Sequence, residues 1–194
     1  MRADAARKRE QVVAAAGDEL ADLAVAARKG ETARLSLDKV AARARVGVAT
    51  LYRHFPTREA LLEAVYHQEL TRLCEAAPGL AAGAPPDEAL LTWMYRYLDF
   101  VDSKRAMGSD LRTMVASGAI TQTDTRARLT AAVEPFLAKG IGAGVFRSDV
   151  PAGDVVAAMA GAVFAADPAD STQQREQTER LLALLIDGLS CTSR

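Results

Sequence analysis

Apolar residues recur along this chain at helical spacing, and strand-like alternation of Val, Ile, Thr and aromatics is nowhere sustained. The pattern therefore predicts an all-α protein. Val12, Val13, Ala16, Leu20, Leu23 and Ala24 fall on one face of a first helix from about Asp4 to Arg28, with Lys29-Gly30 as its stop. Ser36 suits an N-cap, and Leu37, Val40, Ala41 and Ala44 then share one face of a short second helix. Arg45, Val46 and Gly47 make a tight turn. From Val48 a third helix carries Leu51 and Phe55 inward, four residues apart, and leaves Thr50, Arg53 and His54 outward. A short outward-facing helix braced by a partner helix is the shape that enters a major groove. The same periodicity also fits an ordinary pair of core helices.

The remaining pattern predicts six more helices, about nine in all. A fourth runs from Thr57 to about Ala77 on Leu61, Leu62, Val65, Leu70 and Leu73, with Pro78-Gly79 expected to break it and a loop reaching Pro85-Pro86. Asp87 caps a fifth through about Lys104, with Leu90, Leu91, Met94, Tyr97, Leu98 and Val101 inward. Met107–Ser117 forms a sixth, ended by Gly118. A long seventh, from about Asp124 to Ala143, contains Pro135, which removes one backbone donor and is expected to kink it. Gly153–Ala166 and about Ser171–Leu189 complete the set.

Composition sharpens this reading in one respect. The net charge of −1 hides an uneven distribution: the first 60 residues carry 12 Lys and Arg against 8 Asp and Glu, the remainder 12 against 17. An electropositive head on an acidic body steers one face toward nucleic acid, although uneven surface charge also occurs without function. Cys74 and Cys191 are far apart and lack metal spacing, which predicts free thiols. The opening residues MRADAARKRE have no apolar core, and the longest apolar run, Val155 to Ala166, is too short to span a bilayer. An intracellular, cytoplasmic protein is expected.

The chain's wording narrows the choice between a helix-turn-helix and a core pair. Val40-Ala41 with Val46, the string Thr50-Leu51-Tyr52-Arg53-His54-Phe55, and Thr57-Arg58-Glu59 with Leu61 resemble the DNA-binding domain of TetR-family transcriptional regulators. Phe146-Arg147-Ser148-Asp149-Val150 also looks like one type of TetR C-terminal domain, which carries a Gly-x-Arg-x-Asp-Val turn before its dimer helices. The resemblance is specific over the first third of the chain and weaker beyond. It implies a three-helix DNA-binding domain over residues 1–56 and a helical effector-binding and dimerisation domain over residues 57–194. It also implies a homodimer, an operator of double-stranded DNA and a small-molecule effector.

By that resemblance Gly47 to His54 form the recognition helix, and Ser36, Tyr52, His54, Thr57 and Arg58 occupy positions that meet the DNA backbone. The chemistry agrees. Ser36 and Thr57 stand at helix N-termini, where hydroxyls and free amides bind phosphate. Tyr52 can lay its ring on a sugar. Val48 and Ala49 suit thymine methyls, while Thr50 and Arg53 can donate to phosphates or base edges; Arg53 equally suits a solvated surface charge. Arg2, Arg7, Lys8 and Arg9 form a basic arm able to track a phosphate strand or reach a minor groove, expected to be solvated and disordered without DNA.

Two departures from the family pattern stand out. The loop before Ser36 is longer, and Arg45 stands where the family has a turn glycine. That position calls for a left-handed backbone, which costs a non-glycine residue about 1 kcal/mol. Arg45 either contacts phosphate in return, or Gly47 absorbs the turn differently.

In the body, Trp93, Met94, Tyr97, Phe100, Met107, Leu111, Met114 and Phe136 supply the large side chains. A TetR-like body would line an effector cavity with them, but ordinary core packing explains the same residues. Ala158, Gly161, Ala162 and Ala165 make one face of the eighth helix small. Leu181, Leu185 and Leu189 belong to a final helix that is apolar on more than one face, which suggests a partner. Enzyme chemistry finds no support: there are two histidines, one inside the DNA motif, and no nucleophile elbow, metal constellation or P-loop. Gly140, Gly142 and Gly144 follow a helix rather than a strand and do not make a nucleotide-binding turn. No cofactor is expected. The expected function is a ligand-relieved repressor that binds a palindromic operator as a homodimer. The alternatives are an effector-independent DNA-binding protein and an interaction module that has lost DNA binding.

Overall fold

The computed structural model describes residues 2–29, 31, 34–166 and 171–191. Nine α-helices appear among them, with no strand beyond one antiparallel bridge between Phe146 and Ser190. The all-α expectation holds. The helices are α1 (Arg2–Arg28), α2 (Leu37–Arg43), α3 (Val48–His54), α4 (Arg58–Gly83), α5 (Pro86–Ala106), α6 (Ser109–Ala116), α7 (Gln122–Gly142), α8 (Ala152–Ala165) and α9 (Ser171–Leu189). Gly30, the expected stop of α1, lies outside the described residues. Two compact units divide the chain: Met1–Leu70 with Asp99–Thr121, and Thr71–Leu98 with Gln122–Arg194. Both α4 and α5 contribute to each unit, so packing divides the chain elsewhere than the functional boundary expected at 56/57.

In the first unit α1 packs on both α2 and α3. Val12, Ala16 and Leu20 of α1, Val40 and Ala41 of α2, and Leu51 of α3 have 1% exposure or less. Each buried Val or Leu among them contributes about 1.5–3 kcal/mol by leaving water. Charges reinforce the α1–α2 packing. The carboxylate of buried Glu19 lies 3.7 Å from Lys39 Nζ and 3.9 Å from Arg43, and Arg43 also pairs with Asp22 at 2.6 Å.

The turn between α2 and α3 is built by the backbone. The amide of Val46 donates to Ala41 O at 3.0 Å and that of Arg45 to Ala42 O at 3.1 Å. Crossed bonds of this kind end a helix when the residue after its cap is left-handed. Arg45 is that residue, with φ 55°, and it is the only non-glycine with positive φ among those described. The strain anticipated from the missing glycine is therefore present. Gly47, at φ −69°, does not absorb the turn.

The second unit departs from two helix ends expected from sequence. Pro78-Gly79 does not break α4, which continues to Gly83. A proline deletes one amide donor but leaves the next turn free to re-form. Lys139 Nζ donates to the carbonyls of Ala81 (2.6 Å), Ala82 (3.4 Å) and Ala84 (2.8 Å), placing a cation on the negative end of the extended helix. Asp87 is likewise not the cap of α5. That helix opens on Pro86, whose missing donor is no loss in a first turn, and Asp87 sits one residue inside. Pro135 lies within α7, which continues to Gly142.

In this unit α8 packs on α7 and α9. The fully buried Phe146 ring lies where a side chain on Gly140 would be: a Cβ there would stand 2.0 Å from a ring carbon. Gly144 takes φ +69° and turns the chain back, so that Phe146 N donates to Gly140 O at 3.1 Å. The extended residues that follow tie to the end of α9: Arg147 N donates to Leu189 O and Cys191 N to Val145 O, both at 2.8 Å. Arg147 closes a two-bond fork on Asp149 at 2.6 and 2.7 Å and holds that carboxyl below its usual pKa. The turn over residues 144–150 is thus a clasp that joins the end of α7 to the end of α9.

Two outcomes follow for stability. Gly140→Ala must displace the Phe146 ring, with an expected loss of about 1–3 kcal/mol in denaturant unfolding. Gly142→Ala, whose Cβ would meet nothing within 4 Å, is the control and loses none. Arg45→Gly relieves the left-handed strain. Because glycine also loosens the unfolded chain, the expected net gain stays below about 1 kcal/mol by the same measurement.

Candidate nucleic-acid interface

The third helix starts at Gly47 without a side-chain cap and ends at its C-cap Phe55, which leaves the helical region at φ −134°. Its orientation follows from two side chains one turn apart. Leu51 is 0% and Phe55 2% exposed, and Arg9 of α1 lies over the Phe55 ring at 5.0 Å. A cation on a ring face at that distance adds about 0.5–1 kcal/mol. With those two positions inward, Val48, Ala49, Tyr52 and Arg53 are exposed, whereas Thr50 and His54 are half-buried. Tyr52 is 47% exposed, although an aromatic ring of its size buries well in a core. Neither Tyr52 nor Arg53 makes a side-chain hydrogen bond or ion pair with a described residue.

The flanking helix starts are also prepared. Ser36 Oγ accepts the amide of Lys39 at 3.4 Å, and Thr57 Oγ1 accepts that of Ala60 at 3.1 Å. Each hydroxyl accepts from its own helix and so keeps its proton to donate outward. The exposed Arg45 stands between α2 and α3.

Arg58 is placed differently from its neighbours. Its guanidinium donates to Asp110 Oδ2 at 2.7 Å and to Leu35 O at 2.6 Å, so a phosphate there would have to share it. The first residue of α4 thereby braces the residue preceding Ser36 and the first turn of α6. Sequence reasoning saw the charge of Arg58 but not this role, because Asp110 lies 52 residues away. The basic arm also differs from expectation. It forms the first turns of α1, where Asp4 pairs with Arg7 at 2.7 Å and Lys8 at 2.8 Å. The side chain of Arg2 lies outside the described ones.

The eight large residues of the body divide between the units. Trp93, Met94, Tyr97 and Phe136 belong to the second, where Trp93 Nε1 donates to Leu73 O at 2.9 Å and the Trp93 and Phe136 rings meet at 5.9 Å. Phe100, Met107, Leu111 and Met114 belong to the first, where Phe100 meets Tyr66 at 5.4 Å. All but the half-buried Leu111 are buried. Lys104 Nζ lies over both the Tyr66 and Phe100 rings, at 5.8 and 5.4 Å, and burial lowers its pKa.

On α8 and α9, Ala158, Gly161 and Ala165 are exposed, and Ala162, Leu181 and Leu185 half-buried. Leu189 is buried within the chain itself. Two residues outweigh them: Phe164 is 88% and Leu184 64% exposed. The run of alanines around Phe164 drew attention to close helix approach and away from the one large side chain among them. No helix among the described residues is long and apolar enough to cross a membrane. No group of His, Cys, Asp and Glu among them could hold a metal ion.

Comparison with known proteins follows the same division of the chain. Residues 23–65 match the bacterial regulatory proteins of the tetR family, and residues 85–191 match the C-terminal domain described as transcriptional regulator SbtR-like. No curated protein matches. Among solved structures, the chain is similar to the TetR transcriptional regulator SCO0520 from Streptomyces coelicolor. The two are 40% identical over 95% of this chain and 99% of that one, with a TM-score of 0.77. A TetR regulatory protein from Mycobacterium vanbaalenii is 28% identical over 98% of this chain and 99% of its own, with a TM-score of 0.67. A transcriptional regulator from Cytophaga hutchinsonii shares the fold at 16% identity, covering 94% of this chain and 98% of its own at a TM-score of 0.69. With an exposed recognition helix in the matched N-terminal region and a family match over most of the body, the chain belongs to the TetR family of DNA-binding transcriptional regulators.

Proposed function

We propose that this regulator is a homodimeric repressor, relieved by a small-molecule effector, that binds a palindromic operator. The observation that carries the DNA-binding half is the outward face of α3, where Val48, Ala49, Tyr52 and Arg53 are exposed while Leu51 and Phe55 hold the helix in place. Residues 1–56 are assigned to DNA recognition. Val48 and Ala49 meet thymine methyls, and Thr50 and Arg53 meet base edges or phosphates. Ser36, Gly47, Tyr52, His54 and Thr57 position the helix on the backbone, with Arg45 as a further phosphate contact. Arg58 serves chiefly to hold Leu35 and Asp110.

Residues 57–194 are assigned to effector binding and dimerisation. Trp93, Met94, Tyr97, Phe100, Met107, Leu111, Met114 and Phe136 are the proposed effector-sensing residues. Dimerisation is assigned to α8 and α9, through Ala158, Gly161, Ala162, Ala165, Leu181 and Leu185. Phe164 and Leu184 join this set as its apolar anchors, and Leu189 supports the helix end from within. In a two-fold arrangement each anchor would meet the same face of the partner. The link between the two functions is α4, a single helix that begins four residues after the end of α3 and belongs to both compact units. An effector that shifts α4 would tilt Tyr52 and its neighbours out of register with the operator. Coupling of about 1–3 kcal/mol changes operator affinity roughly 5- to 150-fold.

Selection of bound duplexes from a random DNA pool tests the DNA-binding reading. The expected product is a palindrome with half-sites about one helical turn apart. Tyr52→Ala and Thr50→Ala should lose the enrichment while remaining folded; no enrichment at low salt by the folded parent protein overturns the reading. Dimerisation is tested by sedimentation of Phe164→Glu and Leu184→Glu variants. The parent should sediment as a dimer and the variants as folded monomers, whereas a monomeric parent removes the two-headed mechanism.

A further inference from the structure

The first unit contains a cavity of about 440 Å³ that the DNA-binding reading leaves unused. The size is within the range that takes a small organic ligand. Its lining comes from the end of α1, Glu31 and Arg34, the first residue of α4 and the turn from α5 into α6. Of the residues proposed above for effector sensing, only Met107 borders it.

Two kinds of residue line the cavity. Leu23, Ala27, Ala106 and Met107 are apolar. Arg34, Arg58 and Arg105 are cationic, against the carboxylates of Glu31 and Asp110; Arg105 also lies 3.7 Å from Asp102, which Arg28 shares at 3.2 Å, so the four arginines exceed the three carboxylates by one charge. The α6 helix begins in the same lining at Gly108, whose φ of 59° and missing side chain leave its first amides without a side-chain cap. That helix start adds positive potential to the arginines. Inorganic anions would pair with the guanidinium groups but leave the apolar residues hydrated. A neutral hydrophobe would do the reverse.

We propose that this cavity binds a small carboxylate with a short apolar body, and that the ligand competes with Asp110 for Arg58. Guanidinium and carboxylate match as planar forks, so a ligand carboxylate is equivalent in geometry to the Asp110 group now bonded to Arg58 Nε at 2.7 Å. Arg34 and Arg105 draw the ligand in, and Leu23, Ala27 and Met107 cover its apolar end. Because Arg58 also holds Leu35 O, at 2.6 Å, occupancy reaches the residue directly before the N-cap of α2. The site is a second input to the head, with its own residues.

Calorimetric titration of the full chain with hexanoate tests the proposal without DNA, so its outcome is separate from that of the DNA-binding reading. Hexanoate should bind saturably, and hexan-1-ol and inorganic phosphate at least tenfold more weakly. Arg34→Gln with Arg105→Gln should weaken hexanoate about tenfold or more. Asp110→Asn, which removes the competing charge, should tighten it severalfold; a merely structural Asp110 would not produce that opposite sign. Arg34 is exposed, so Arg34→Gln alone decides the arginine arm if the double variant does not fold. Absent hexanoate binding, equal binding of the alcohol or phosphate, unchanged affinity in the folded arginine variants, or weaker binding by Asp110→Asn each overturns the proposal.

Discussion

A seven-residue helix cannot hold itself together in water, since the few hydrogen bonds it closes do not offset the cost of nucleating it. The recognition helix α3 is of that length, and everything it presents depends on the burial of Leu51 and Phe55, one turn apart. Their side chains set the rotation of α3 about its own axis. That rotation leaves Val48, Tyr52 and Arg53 facing out. Supporting contacts serve the same end: Arg9 covers the Phe55 ring, and Glu19 and Asp22 hold α2 through Lys39 and Arg43. The head is a small core whose purpose is the orientation of its least buried helix.

The turn into α3 shows a local backbone preference overridden by packing. Glycine would relieve the backbone at position 45, yet arginine stands there at φ 55° with both crossed helix-ending bonds intact. The packing of α2 and α3 over-determines the turn, so a residue that would not choose this conformation is held in it.

The second unit depends on helix ends more than on helix faces. Lys139 completes the end of α4, and one helical turn of α7 supplies both that cation and Gly140, the seat of Phe146. The clasp that follows joins the end of α7 to the end of α9 through Arg147 and Cys191 amides. Lys139, Gly140 and the turn over residues 144–150 therefore form one continuous stretch of structure, and the end of α9, beyond its exposed Leu184, is tied to it.

Most helices were legible because a 3.6-residue apolar period is a local signal, and the left-handed demand at Arg45 was legible through the resemblance, which places a turn glycine there. Helix ends were less so. The carbonyls that close α4 beyond Pro78 are met by Lys139, 61 residues after that proline, and periodicity holds no sign of it. The same limit hid Asp110 as the partner of Arg58, and Phe146 as the reason for Gly140. It also hid which member of an alanine-rich helix would remain uncovered, for Phe164 reads as one more apolar residue until α7 and α9 have claimed the other faces of α8. Periodicity and motif settle the elements and the family, because those depend on neighbours along the chain. Partners distant in sequence settle where the helices stop, which charges are spent and which apolar side chains stay in water, because burial and pairing depend on neighbours in space.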